Sequence, residues 1–521
     1  MRGILQSSTS YTIALSFFVA LGGFLMGFDA SVISGVVGFV ENEFNLTDWQ
    51  LGWVVSSLTL SATIAMLCAG PLSDYFGRRV ILQSTAFLFA ISAFLSAWAP
   101  SFEWLVIARM IGGLGVGGAL IIAPVYIAEI SPPHLRGRLV SLNQLNIVIG
   151  ISLAFFSNYL ILGYADNTTK FSTFDINFSA WRVMLAVEFI PALFYFIVLF
   201  YIPESPRWLA LKGDLEQARQ ILEKTTGKEA STHDLADIQP WQNPFAWIAN
   251  WKKLFSPSMR KVLMIGIVIG ITQQATGINA VFFYAPMIFE QTGVSTNSAF
   301  LQAVAVGVVN LVFTIIAIAL IDRLGRRILL NVGLAGIVIS MFVLSYGFYS
   351  ASYQLSEKSA AEITEQFKLP LDKPLSNEKF ESDLDFKSML NNSLGKEDAK
   401  KIQRDAINAS ININTTLILF GILGFVACFA VSLGPVMWVL LSEIFPNHSR
   451  GAAISLVGLL NSSASFGVQL VFPWQLNSLG NATAFLIFGS VALIGLVFVF
   501  FKLPETKNKS LEQLEKQLVQ S

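Results

Sequence analysis

Asp74-Tyr75-Phe76-Gly77-Arg78-Arg79 lies between two long apolar runs, and Asp322-Arg323-Leu324-Gly325-Arg326-Arg327 lies between two more near the middle of the chain. Each copy is followed by Glu, six intervening residues and Arg-Gly, at Glu129 to Arg136-Gly137 and at Glu443 to Arg450-Gly451. Each half then closes on Pro-Glu-Ser/Thr, at Pro203-Glu204-Ser205 and Pro504-Glu505-Thr506. Three charged marks repeated in one order identify a duplicated unit, and duplication in an apolar chain is a hallmark of transporters.

The apolar runs make the chain a membrane protein. Of 521 residues, 54% are hydrophobic and 13% charged, against about 25% charged in soluble domains. A run of about 20 apolar residues crosses the hydrocarbon layer as a helix. Roughly twelve such runs follow one another, from 11–40 to 482–501. The first is too long for a signal-peptide core and holds Asp29, so no cleavage is expected. The spacing predicts an all-α membrane protein with an N-terminal six-helix bundle over 1–202 and a linker over 203–261. A second bundle covers 262–503, and a tail helix covers 504–521.

Charge placement gives the orientation. Arg78, Arg79, Arg136, Arg138, Arg323, Arg326, Arg327 and Arg450 fall in short loops on one side, whereas loop 41–50 on the other side has acids and no Lys or Arg. By the positive-inside rule the Arg loops and both termini face the cytoplasm. Cys68 and Cys428 lie inside spans, and His134, His233 and His448 have no metal-ligand spacing. No metal, cofactor or nucleic-acid partner is expected, and no nucleophile–base–orienter set suggests an enzyme.

The halves differ in length. Arg79 to Glu129 is 50 positions and Arg327 to Glu443 is 116, so the second half carries about 66 additional residues. They fall in the polar stretch 350–413, outside by parity, which reads as a disordered or small helical excursion dispensable for transport. The Asn-X-Ser/Thr sequons at Asn167, Asn177, Asn391, Asn408 and Asn414 fall on that same side. In the linker, Asp214 is placed to cap an amphipathic helix with Leu215, Ala218, Ile221 and Leu222 on one face. Ser510-Leu511-Glu512-Gln513 is a capping box for a second such helix.

Polar residues inside the spans are the candidates for function. Asp29 is the one acid found deep in the first half, and Arg109 in the fourth span is its counter-charge. The pair is open to two readings, a static ion pair or a proton site. Gly113 and Gly117 give the fourth span a small-residue face for close helix approach. Gln144 lies in the fifth span, Gln273, Gln274 and Asn279 in the seventh, Asn310 in the eighth and Trp438 in the tenth. Amides offer both donors and acceptors to vicinal hydroxyls, and an indole face suits the C–H face of a sugar ring. No carboxylate pair or cation cluster surrounds them, which favours a neutral polyol over an anion or a peptide.

Together these motifs resemble the sugar porters of the major facilitator superfamily, and within that family its bacterial proton-coupled xylose symporters. The likeness is carried by the two Gly-Arg-Arg loops, Pro203-Glu204-Ser205-Pro206-Arg207, Gln273-Gln274 through Asn279, Gly434-Pro435 to Trp438, Ser442 to Pro446, Pro504 to Lys507, and Gly27-Phe28-Asp29. It implies two six-helix bundles around a central sugar site reached alternately from either side. It implies that Gln144, Gln273, Gln274, Asn279, Asn310, Trp438 and Asn461 contact sugar and that Phe429 lines the site. Asp29 and Arg109 match the family's proton-coupling pair, and Tyr284 matches a gating aromatic. Arg78, Arg79, Glu129, Glu204, Arg326, Arg327 and Glu443 match cytoplasmic clusters that close the inward gate. Where a member of the family has Tyr, this chain has Phe283, and where it has Gln-Trp this chain has Asn461-Ser462. The implied function is import of a xylose-, glucose- or galactose-like sugar with a proton by a monomer in the cell membrane, surrounded by lipid. Rivals are a facilitative sugar or polyol uniporter and a transporter-like receptor. The latter would be expected to carry a long signalling extension, and this chain ends soon after Pro504.

Overall fold

The computed structural model describes residues 8–167, 179–226, 254–367, 378–446, 449–507, 509 and 513. Among the described residues, twelve helical spans are long and apolar enough to cross a membrane. In chain order the helices are α1 (Ser8–Glu43), α2 (Asp48–Phe76), α3 (Arg78–Ala97), α4 (Phe102–Ile130), α5 (Pro133–Asn167), α6 (Ala180–Val187) and α7 (Phe189–Val198). Then come α8 (Pro206–Leu211), α9 (Leu215–Thr225), α10 (Arg260–Ala275), α11 (Ile278–Phe283), α12 (Ala285–Glu290), α13 (Thr296–Leu324) and α14 (Arg326–Tyr349). The polar insertion follows, and α18 (Thr415–Val431), α19 (Leu433–Ile444), α20 (Arg450–Ser478) and α21 (Asn481–Lys502) complete the chain. The tail helix expected from Ser510 lies largely outside the described residues, as do His233, His448 and the sequon at Asn177.

The chain forms two compact units. The first holds residues 1–33, 57–154 and 170–256, and the second holds 34–56, 155–169 and 257–521. The helices α1, α2 and α5 are therefore shared between them, a division finer than the one expected at the linker alone.

Within the first unit, packing rests on glycines where helices cross. A side chain on Gly113 would overlap Ser61 and the Leu58 carbonyl, and one on Gly117 would overlap the Ala62 carbonyl, so this face of α4 lies directly on α2. Gly27 and Gly150 do the same for the crossing of α1 and α5, against the carbonyls of Ile147 and Phe24. Such contact replaces the hydrophobic driving force that lipid cannot supply. Asp214 caps α9 by accepting from the Gln217 N–H at 3.1 Å. Ala218 and Leu222 are buried, but Leu215 is exposed, contrary to the expected apolar face. The Thr12 hydroxyl donates to the Thr225 carbonyl at 2.9 Å, tying α9 to the start of α1.

Among its described residues the insertion in the second unit is a folded α/β cap: it is helical, as one of the two expected forms had it, with a small sheet added, and it is not disordered. Strands β1 (Ser352–Gln354), β2 (Lys379–Phe380) and β3 (Ile411–Asn412) form a sheet in the order β2-β1-β3, and both pairings are antiparallel. Helices α15 (Glu357–Phe367), α16 (Asp383–Leu394) and α17 (Lys396–Ser410) cover it. The cap has its own core, in which Tyr353 stacks on Phe386 at 5.6 Å beside Leu390, Ala399, Ile402 and Ala406. The charged composition of the stretch conceals these apolar residues, which fall at helical spacing along α17.

Lys387 docks the cap. It is buried, pairs with Asp383 at 3.1 Å and donates to the Leu476 carbonyl in the last turn of α20 at 3.2 Å. Removing one member of a buried pair costs about 3–5 kcal/mol. Lys387→Met is therefore expected to speed proteolysis within the cap severalfold without lowering membrane insertion. Equal digestion of the variant and the parent protein would remove Lys387 from the docking contact.

Candidate functional site

The seventh span is broken where its amides cluster. Gly277 adopts a left-handed conformation (φ 87°) between α10 and α11, and a side chain there would collide with the Phe488 ring. A second break follows at Tyr284, with Pro286 two residues on. Breaks in a span free polar groups for a ligand. Gln273 and Gln274 end α10 and Asn279 opens α11, so the break brings the three amides together.

Bonds among them extend onto α20 in the same unit. Asn461 Nδ2 donates to Gln273 Oε1 and to the Gly270 carbonyl, both at 2.7 Å. Gln273 Nε2 donates to the Leu433 carbonyl at 2.8 Å. Gln274 Nε2 reaches Asn461 Oδ1 at 3.3 Å. Asn279 Nδ2 donates to Gln274 Oε1 at 2.9 Å and to Ser465 Oγ at 2.7 Å. Gln469 Nε2 also donates to Ser465 Oγ at 2.7 Å, and the Tyr284 hydroxyl donates to the Gln469 carbonyl at 3.0 Å. Gln273, Asn461, Ser465 and Gln469 are buried, while Gln274 and Asn279 are half-buried. The cluster is prearranged by its own bonds, and its outermost amides can exchange partners with a polyhydroxyl ligand.

Sequence reasoning missed Ser465 and Gln469. Their signal was the spacing Asn461, Ser465, Gln469, which puts three polar side chains on one face of a membrane helix. Asn310 on α13 and Phe429 at the end of α18 are buried, and Trp438 on α19 is exposed with its ring edge near Gly458. These three are outside the hydrogen-bonded set. Gln144 is half-buried on α5 and belongs to the first unit.

That unit holds the charged pair. Arg109 Nη1 donates to Asp29 Oδ1 at 3.1 Å, and the two residues are 1% and 2% exposed. The expectation of a single deep acid is wrong. Glu188, at 3% exposure, lies at the break between α6 and α7, within electrostatic reach of Asp29 and Arg109. Pro191 explains the break, because it has no N–H to give the Val187 carbonyl. Two buried acids thus lie in the field of one guanidinium. An acid inside an apolar run, three positions before a proline, was visible in the sequence.

At the Gly-Arg-Arg loops the internal repeat recurs residue by residue. Gly77 and Gly325 precede α3 and α14 with near-identical backbones, φ 101° ψ 155° and φ 95° ψ 158°. Glu204 Oε1 accepts from the Arg78 N–H at 2.9 Å and Glu505 Oε1 from the Arg326 N–H at 3.1 Å, each carboxylate capping a helix N-terminus. Arg78 pairs with Glu129 at 3.2 Å and Arg326 with Glu443 at 2.8 Å. The hydroxyls of Ser205 and Thr506 donate to those same acids at 2.6 and 2.7 Å. Arg79 and Arg327 donate to the carbonyls of Phe200 and Phe500 at 2.6 and 2.7 Å. Burial pushes the Glu204 carboxyl above its ordinary value, against the opposing pull of the N–H groups of Ser205, Arg79 and Arg78. Glu505 was missing from the expected set, although its repeated Pro-Glu-Ser/Thr marks it as the partner of Glu204. Each cluster is complete within its own unit.

The family model for "Sugar (and other) transporter" matches residues 15–364 and 401–518. The chain belongs to the sugar transporter family. The unmatched interval, 365–400, falls inside the cap. The chain is 34% identical to the arabinose-proton symporter of Bacillus subtilis, over 98% of this chain and 95% of that one. It is 34% identical to the D-xylose-proton symporter of Escherichia coli, over 98% and 96%. It is similar to the inward open conformation of the xylose transporter XylE from E. coli, with a TM-score of 0.73 at 32% identity, covering 98% of this chain and all of the other. The protein is therefore a multi-pass membrane transporter of the major facilitator fold, and its family and structural neighbours are transporters rather than enzymes.

Proposed function

We propose that the protein imports a neutral monosaccharide of the xylose, glucose or galactose type together with a proton, by alternating access. The observation that carries the reading is the amide cluster at the broken seventh span, which matches vicinal hydroxyls and offers no charge to an ionic substrate. Gln273, Gln274, Asn279 and Asn461 are its core in the second unit. Gln144, Asn310, Phe429 and Trp438 are further contacts, and Tyr284 is a gating aromatic. Asp29 carries the proton, Arg109 is its counter-charge, and Glu188 is a second buried acid of the same unit. The charged clusters at Arg78 and Arg326 act as gates, and they lie in the cytoplasm together with both termini. The cap then faces outward, and the working unit is the monomer.

The test is uptake of labelled D-xylose, D-glucose and D-galactose by proteoliposomes of the full chain, with and without an imposed pH gradient. Accumulation above the external concentration, only with the gradient, is expected for one or more of the three. Equilibration without accumulation would establish the facilitative alternative, in which the buried ion pair is structural. No uptake of any of them would remove the monosaccharide reading.

A further inference from the structure

The cap touches the spans at two turns on its own side of the membrane. At the turn between α12 and α13, Gly293 has a left-handed backbone (φ 82°), and a side chain there would stand 2.6 Å from Ile411 of β3. At the turn between α20 and α21 the cap places its buried ion pair. Lys387 donates to the Leu476 carbonyl in the last turn of α20. Asp383 lies against Gly480, which precedes α21, and a side chain on that glycine would stand 2.7 Å from Asp383 Oδ1. A cation at the carbonyl end of one helix and an anion at the N–H end of the next complement both helix dipoles. The pair thus fixes the α20–α21 turn.

That turn follows directly on Asn477. Asn477 Oδ1 lies 3.5 Å from Gln403 Nε2 of α17, and Asn477 Nδ2 donates at 2.7 Å to Oδ1 of Asp48, the first residue of α2. One side chain is therefore bonded both to the cap and to α2. Beyond this link the two helices lie face to face. Trp49 stacks on Trp474 at 6.1 Å, Trp53 meets Phe466 at 5.6 Å, and a side chain on Gly52 would overlap the Leu470 carbonyl. Ser56 is one turn further along the same face of α2 and is fully buried. Residues 34–56 belong to the second unit, whereas α2 from residue 57 onward belongs to the first. Because α2 is one continuous helix, opening on the cap's side by alternating access requires its first turns to leave α20.

We propose that the cap is a brace for this contact: by gripping the α20–α21 turn through Lys387 and Asp383 it holds Asn477 toward Asp48 and favours the state closed on its own side. A brace shifts the balance by the contacts it makes in one state and loses in the other. None of the bonds just named includes a residue of the amide cluster, so the brace acts on access and not on recognition. The inference rests on the alternating-access reading above, and on neither the proton nor the identity of the sugar.

A thiol reporter on the buried face tests it. Ser56→Cys is nearly isosteric, and it is placed in the full chain together with Cys68→Ser and Cys428→Ser. The rate at which a maleimide labels the reporter in lipid nanodiscs measures how often α2 and α20 part. Lys387→Met and Asp48→Ala are each expected to speed labelling about tenfold, the effect of one hydrogen bond to a charged group, and Gln403→Leu about threefold. Lys358→Met, on the outer surface of the cap with its side chain 88% exposed, is expected to label at the parental rate. So is Leu82→Ala, a core change in the first unit that lowers the melting temperature without touching the brace.

Parental labelling in either Lys387→Met or Asp48→Ala would overturn the proposal. In the first case the face would stay shut without the cap's grip, and in the second without the link that the cap holds. Equal speeding by Leu82→Ala would also overturn it, by showing general loosening, as would rapid labelling of the reporter in the parent protein. If Lys387→Met does not fold, Gln403→Leu takes its place. Neither sugar nor a pH gradient enters the assay, so a protein that accumulates none of the three sugars fails the functional reading and leaves this result standing.

Discussion

Asp29→Asn is expected to abolish sugar accumulation driven by a pH gradient while leaving sugar binding within about twofold of the parent. A symporter must let sugar and proton cross together and not singly. With Asp29 ionised, Arg109 has its anion at 3.1 Å, and this arrangement is favoured. Protonation removes that preference, and a ligand can shift a two-state equilibrium only through such a difference between states. Asparagine keeps the shape and holds the site neutral at every pH, so the cycle loses its dependence on the proton. The amides of α10, α11 and α20 belong to the other unit and are untouched. The variant takes from the buried Arg109 its anion at 3.1 Å, and breaking a buried pair costs about 3–5 kcal/mol of stability, so its melting temperature should fall as well. Sugar-for-sugar exchange and accumulation are to be measured in one proteoliposome preparation. Accumulation at the parental level would end the proton role of Asp29.

The second large effect is expected at Gln274→Ala. Gln274 is half-buried and links three side chains: it donates to Asn461 Oδ1 and to Gln273 Oε1 and accepts from Asn279 Nδ2. Loss of one bond to a ligand, with a polar partner left unmatched, costs about 1–3 kcal/mol, or roughly ten- to a hundredfold in affinity. Part of that loss comes from Asn279, which keeps only Ser465 to hold it. Titration of the purified variant with the sugar that the parent accumulates measures the change directly. Unchanged affinity with an intact fold would remove Gln274 from the site.

The spans, the repeat and the loop clusters are legible in the sequence because each rests on local chemistry. Twenty apolar residues have one outcome in lipid, and Gly77 and Gly325 announce the same turn twice. Gln273, Gln274 and Asn279 stand out because amides gathered in one span have no cheap alternative use there. The rest depends on tertiary placement. Ser465 and Gln469 acquire meaning only beside Asn279, from a helix some 190 residues away in sequence. Glu188 is an ordinary acid until α6 and α7 bring it to Arg109. The exposure of Trp438, at 41%, is set by how α19 is rotated after the break at Ser432, which no spacing rule foretells. The disordered reading of the cap fails because the charges of α15 and α17 outweigh its apolar residues in any average, while burial follows their position on the helix face.

The pairing of β1 with β3 has a consequence for how this chain can be altered. The cap is entered through one strand and left through the other, and Ser352 lies opposite Asn412. Neighbouring strands run about 4.8 Å apart, so the spans on either side of the cap reach it at almost the same point. Whatever connects them need bridge only that gap, whether a two-residue hairpin or a whole foreign domain whose ends lie together. The junction is thus a natural port, through which a fluorescent reporter, an affinity tag or a rigid scaffold for imaging could be seated while the twelve spans keep their spacing.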